Sequence, residues 1–131
     1  MRLLIDTNRY SDMDEGDPEV VQRFESAKEL WLPIIVLGEL FAGFELGNRK
    51  DLNEKQLKDF IERLSVVLLH LDETTARYYG EIFRVLRLHG TPIPTNDIWI
   101  AALALQHDLT LDSRDQHFQH VPGLKLVGQN T

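Results

Sequence analysis

The sequence predicts an α/β fold, a three-layer α/β/α sandwich around a mostly parallel sheet. Three observations lead there. Short β-rich apolar runs recur along the chain, stretches with helical apolar spacing lie between them, and no repeat, low-complexity segment or linker interrupts the alternation. With 131 residues, 43% hydrophobic and 27% charged, the chain has the size and composition of one ordinary domain, read as spanning residues 1–131.

Leu3-Leu4-Ile5 is a short buried-strand signal that enters the sheet edge-on, and Asp6-Thr7-Asn8 behind it is turn chemistry. An acidic loop from Asp12 to Glu19 leads to Asp17-Pro18, where Asp caps a helix and Pro takes its first position, with Val20, Val21 and Phe24 facing inward. Leu30-Trp31-Leu32 reads as the second strand. Pro33 then opens an apolar, largely buried helix to about Gly47.

Asn53 caps a helix whose Leu57, Phe60, Ile61 and Leu64 repeat at i, i+3, i+4 and i+7. Val66 to Leu69 is a strand, and Asp72 caps a helix that buries Ala76, Tyr79, Phe83 and Leu86 and stops at Gly90. Thr91 to Pro94 is a rigid connector. Thr95-Asn96-Asp97 opens a helix apolar nearly all round, which places it in the core, and strands at Leu109–Leu111 and Leu124–Val127 complete the chain.

Composition removes several function classes. There are no cysteines, so disulfide frameworks, thiolate zinc sites and Cys nucleophiles are excluded. The apolar run before Asp6 is far shorter than the ~7 to 15 residues of a signal-peptide core, and no stretch reaches the ~20 residues of a membrane helix, so a cytoplasmic protein without membrane insertion is expected. The formal charge of −7 opposes nonspecific attraction to nucleic acid; a polynucleotide substrate requires a local basic face or bound cations.

Open α/β sheets place their sites beyond the carboxyl ends of the strands. Asp6 follows the first strand, Asp97 begins the buried helix and Asp115 lies just past the strand at 109–111, while Glu39 is the sole ionisable residue between Pro33 and Phe44. Each has a structural explanation: Asp97 as an N-cap shared with Thr95 or Asn96, Asp6 and Asp115 as Asx-turns, Glu39 as a solvated or arginine-paired side chain. Together they carry more weight. Four carboxylates at one sheet edge repel each other unless a cation holds them, and oxygen-only donors select hard ions such as Mg²⁺ or Mn²⁺.

Four motifs in this order resemble the PIN-domain ribonucleases, and within them the VapC-type toxins of bacterial toxin–antitoxin pairs. They are Leu4-Ile5-Asp6-Thr7-Asn8, Leu37-Gly38-Glu39-Leu40-Phe41-Ala42-Gly43, Asn96-Asp97-Ile98-Trp99-Ile100-Ala101-Ala102, and Ser113-Arg114-Asp115-Gln116-His117-Phe118 followed by Pro122-Gly123-Leu124. The resemblance covers nearly the whole chain. It implies a PIN-like fold and a Mg²⁺- or Mn²⁺-dependent endoribonuclease with Asp6, Glu39, Asp97 and Asp115 as its acidic, metal-binding catalytic pocket. It also implies Thr7, Asn8, Asn96 and Ser113 as supporting donors, transfer or ribosomal RNA as substrate, a cognate antitoxin and a homodimer. Asp112 departs from the pattern. It is read as pointing to solvent, although the sequence leaves open which acid between 112 and 115 faces the metal; the match from Arg114 to Phe118 favours Asp115.

Other signals carry less. His117 and His120 lack the i, i+4 spacing and third ligand of a helical zinc pair, and His70, His89 and His107 lie at element ends. Trp31 reads as core, and Trp99 as core or near the site. No phosphate loop, dinucleotide fingerprint or nucleophile elbow is present. Arg9, Arg49, Lys50, Lys55, Lys58, Arg77, Arg84, Arg87 and Arg114 are the cations available to RNA. Two other classes compete: an aspartyl-phosphate phosphatase, disfavoured because Asn8 stands where a second Asp belongs, and a noncatalytic binding module, a degenerate PIN or phosphoacceptor-like domain.

Overall fold

The computed structural model describes residues 1–129. Its elements run β1 (Arg2–Ile5), α1 (Thr7–Asp14), α2 (Pro18–Ser26), β2 (Glu29–Pro33), α3 (Ile34–Leu46), α4 (Lys50–Arg63), β3 (Val67–Leu69), α5 (Glu73–Leu88), α6 (Thr95–Gln106), β4 (Thr110–Asp112) and β5 (Lys125–Leu126), with a 3-10 turn at Gln116–His120. The five strands pair in the order β3-β2-β1-β4-β5, and every pairing is parallel. Parallel pairing demands a crossover between neighbours, and the helices supply it as the outer layers of a three-layer sandwich.

β1 is the middle strand, not an edge. Leu3 pairs with Leu30 on one side and Thr110 on the other, and Leu3, Leu4 and Ile5 are fully buried. Such complete burial requires a strand apolar on both faces. Phe24, Leu32, Ile100, Leu103, Leu111 and Phe118 fill the same core.

Several elements differ from the sequence reading. Asp6-Thr7-Asn8 starts α1 instead of a turn, with Asp6 as N-cap accepting from the Thr7 amide, and Asp12 belongs to this helix and not to a solvated loop. Only Tyr10 of α1 is buried, so the helix has almost no apolar period to reveal it. α3 is not largely buried: Val36 and Leu40 are, while Phe41 and Leu46 stand exposed, because apolar composition does not say how far a helix runs beyond the core. α4 begins at Lys50, which puts Asn53 inside it, and its buried face is Leu57 and Phe60. In α5, Asp72 and Thr75 form a reciprocal capping box, but the buried face is Thr75, Ile82 and Leu86; Ala76 and Phe83 are exposed. Gly90, at φ +68°, ends that segment in the left-handed conformation that glycine adopts without strain. α6 is the core helix expected, with Ile98, Ile100, Ala101, Ala102 and Leu103 buried. No described helix is long and apolar enough to cross a membrane.

Candidate metal centre

The end of β1 positions Asp6. Its side chain is 3% exposed, and its two oxygens are occupied by donors: Oδ1 accepts from the Thr7 amide at 2.8 Å, and Oδ2 accepts from Ser113 Oγ at 2.6 Å and Asn8 Nδ2 at 3.4 Å. Burial nevertheless pushes its pKa up to about 6, opposed by the Ser113 and Thr7 hydrogen bonds and aided by the charges of Asp97 and Asp115. Asp6 therefore stands within the field of both other acids.

Asp97 lies in the first turn of α6 but does not cap it. The N-cap is Pro94, without a side-chain bond, because the preceding proline-rich connector fixes the entry in extended conformation. The freed Asp97 carboxylate is buried, and burial raises its pKa, a shift that His117 opposes and Asp115 reinforces. His117 Nε2 lies 2.5 Å from Asp97 Oδ2 and 3.9 Å from Asp115 Oδ2. One ligand atom from each of Asp97, Asp115 and His117 falls within 4.8 Å of the other two. Asp115 precedes the 3-10 turn without capping it through its side chain, and its amide donates to Ser113 Oγ at 3.0 Å.

Glu39 joins from α3 by one intermediary. Thr7 Oγ1 donates to Glu39 Oε1 at 3.0 Å, so the residue next to Asp6 holds the fourth acid. Asn8 bridges the strand ends: Nδ2 reaches Asp6 and Ser113, both at 3.4 Å, and Oδ1 accepts from the Arg114 amide at 3.0 Å. Thr7, Asn8 and Ser113 thus touch the acids or each other. Asn96 is exposed and makes no side-chain hydrogen bond among the described residues.

Asp112 does not point to solvent. It is fully buried at the end of β4, where Oδ1 accepts from Arg9 Nε at 3.0 Å and Oδ2 from Arg23 Nε at 2.6 Å, while Arg23 Nη2 adds a bond of 3.2 Å to Oδ1. A buried carboxylate needs paired donors, and two guanidinium groups supply them. Arg9 also holds Asp12 at 3.0 Å, and Arg114 reaches the same Asp12 oxygen at 3.1 Å. Asp112 is thereby occupied, which leaves Asp115 as the acid of this segment that faces Asp97. Arg9 is likewise committed to the protein's own acids.

The residue that sequence reasoning set aside is His117. Its pairing with His120 is absent, since His120 is exposed, and its partner is Asp97, which is twenty positions away and adjacent only in the fold. The one available signal was its position two residues after Asp115. Trp99 packs on Tyr79 with ring centroids 4.3 Å apart. A separate groove of about 550 Å³ lies between α3 and α4, lined by Leu37, Phe41, Leu57, Ile61 and Leu68, and contains none of the four acids.

The donor set is carboxylate oxygen with one imidazole nitrogen. Hard divalent cations take such oxygens, and a cation also offsets the burial and the weaker like-charge repulsion that raise the pKa values of Asp6 and Asp97. The residues therefore fit a divalent ion.

The PIN domain profile matches residues 3–124. Among curated proteins, the chain is 32% identical to toxin FitB of Neisseria gonorrhoeae over 86% of this chain and 87% of that protein, and 30% identical to ribonuclease VapC2 of Haemophilus influenzae over 95% and 96%. Among solved structures, DNA-bound VapBC from Salmonella typhimurium superposes with a TM-score of 0.86 at 26% identity, covering 96% of each chain.

Proposed function

The chain belongs to the PIN-domain family, and on that premise we propose that it is a divalent-metal-dependent endoribonuclease, the toxin of a toxin–antitoxin pair. Its RNA phosphodiester hydrolysis is assigned to Asp6, Asp97, Asp115 and Glu39, with Mg²⁺ or Mn²⁺ as cofactor. The observation that carries this reading is the meeting of acids from the ends of β1 and β4 and the start of α6: Ser113 Oγ donates to Asp6 and accepts from the Asp115 amide, and Asp97, Asp115 and His117 each place a ligand atom within 4.8 Å of the others. Relatives named as ribonuclease and toxin, and the neighbouring VapBC fold, support the activity and an antitoxin partner. A family match from residue 3 to 124 supports reading residues 1–131 as one PIN-like domain.

A bound divalent ion supplies charge neutralisation at a phosphoryl oxygen and a water of lowered pKa. The chain's own residues prepare that site. Ser113, Asn8 and the Thr7 amide fix both oxygens of Asp6, and Thr7 Oγ1 fixes Glu39, so the acids are oriented before substrate arrives. Asp97, on a rigid core helix, sits across from Asp6 and bears the His117 contact. With a net charge of −7 and Arg9 bound to Asp12 and Asp112, approach of the RNA backbone falls to exposed cations such as Arg49, Lys55, Lys58 and Arg84 and to the ion itself. Transfer or ribosomal RNA is the substrate we assign. Exposed Phe41, Leu46, Phe83 and Leu88 leave apolar surface for an antitoxin and for a second copy of the chain.

The test is cleavage of total transfer RNA by the purified chain and by Asp97→Asn, with Mn²⁺ or Mg²⁺ and again with EDTA. Discrete fragments from the unmodified protein alone, abolished by EDTA, are expected. Equal fragments from both proteins, or none on transfer or ribosomal RNA, would replace this reading with that of a binding module.

A further inference from the structure

We infer that His117 Nε2 is itself a ligand of the ion, together with Asp97 and Asp115, which makes this a mixed nitrogen and oxygen site for Mn²⁺ or a later first-row divalent ion in preference to Mg²⁺. The inference rests on the metal site proposed above and specifies its donors.

Geometry comes first. The Nε2 atom lies within reach of two carboxylates, 2.5 Å from Asp97 Oδ2 and 3.9 Å from Asp115 Oδ2. Ligands of a six-coordinate ion at ~2.1 Å stand ~3 Å apart when adjacent and ~4.2 Å apart when opposite. The three atoms lie within 4.8 Å of one another, so an ion reaches them once the His117–Asp97 pair opens by about half an ångström, within the freedom of the carboxylate and imidazole torsions. The hydrogen bond to Asp97 and shared coordination use the same two atoms.

The chain also holds the imidazole in place. The 3-10 turn that begins after Asp115 brings His117 back over the acids, and its ring lies 5.1 Å from that of the fully buried Phe118. The side chain is 33% exposed, which leaves it neither free in solvent nor closed to an ion. His120, on the same turn, is exposed and takes no part in the cluster.

Donor chemistry decides the consequence. Mg²⁺ holds oxygen ligands and its own waters, whereas an imidazole nitrogen is better matched by the first-row divalent ions, whose affinity rises from the hard Mn²⁺ through Co²⁺ and Ni²⁺. A histidine among the ligands strengthens this bias beyond what carboxylates alone supply.

The test loads the full chain with Mn²⁺ and records the electron spin echo modulation. Nitrogen-14 coupling is expected, replaced by nitrogen-15 coupling when only the histidines are labelled and lost in His117→Gln. Calorimetry with Mn²⁺ and with Mg²⁺ should show the variant losing Mn²⁺ affinity by roughly tenfold or more and Mg²⁺ affinity by less. Mn²⁺ that binds without histidine-nitrogen coupling, or coupling that survives in His117→Gln, overturns the ligand assignment while leaving the metal site intact. Neither ion binding the unmodified chain overturns the metal site and the ligand assignment with it. The labelled unmodified protein tests histidine ligation even where the variant fails to fold.

Discussion

Ser113 Oγ donates to Asp6 Oδ2 across 2.6 Å, joining the acid at the end of β1 to the residue that follows β4. The bond orients the carboxylate and favours its ionised form. Hydrogen bonds to charged groups contribute roughly 1.5–3 kcal/mol. Ser113→Ala is expected to lower unfolding stability at pH 8 by about that amount and to weaken Mn²⁺ binding. Denaturant melts and an ion titration measure both; an unchanged midpoint together with unchanged affinity would show that the bond does not act on Asp6.

The raised pKa of Asp6 carries a pH signature. Folding lifts this carboxyl from 3.8 to about 6, chiefly by burial. A group raised on folding stabilises the native state while it holds its proton. The contribution is complete below pH 3.8 and is lost as pH rises through 6. Asp6→Asn has no proton to lose, so relative to the unmodified chain in EDTA it should gain stability between pH 4 and 8, by up to about 3 kcal/mol for the full shift. A difference constant across that range would contradict the raised pKa.

Asp112 and Asp115 should behave as opposites although three residues apart. Asp112→Asn removes the charge that holds Arg9 and Arg23, and breaking a buried pair in this way costs about 3–5 kcal/mol. Asp115→Asn touches an exposed side chain near the other acids and should leave the melting temperature close to native while reducing ion affinity. Thermal melts with and without Mn²⁺ separate the two. Equal melting temperatures for both variants would remove the structural role given to Asp112.

A divalent ion should stabilise the folded chain through linkage, by about 2.7 kcal/mol at a hundred times its dissociation constant. Asp97→Asn should lose most of that gain. In EDTA its melting temperature should equal or exceed that of the unmodified chain, because Pro94 and not Asp97 caps α6 and because a buried like charge has been removed. A clear drop in EDTA would return Asp97 to a structural role.

The fold was legible in the sequence where burial and period coincide. Leu3–Ile5, Leu30–Leu32 and the apolar helix after Pro94 each announce a buried element, and Asp17 and Asp72 announce the caps they form. α1 was hidden because it is polar and buries one residue, and the burial of α3 was overstated because hydrophobicity does not report where a neighbour ends. At the site, acids at strand ends could be picked out by position. What could not be read was pairing: the two arginines that claim Asp112 are 103 and 89 residues away, and His117 meets Asp97 only through the turn after β4. Those contacts are decided by tertiary packing, on which local sequence has no hold.

The central place of β1 has a consequence for the order of synthesis. Asp6 is made long before Ser113, yet its strand pairs with β4 and its carboxylate is met by Ser113, 107 positions later. A nascent chain halted before residue 97 carries Asp6 and Glu39 without Asp97, Asp115 or His117. Long-range closure of this kind is slow, because the loop entropy must be overcome before the contacts reward it. The carboxylate cluster is thus withheld from every early translation fragment. Whatever damage the folded chain can do begins only after Asp97, Asp115 and His117 have been made, an interval in which a co-produced partner can already be waiting.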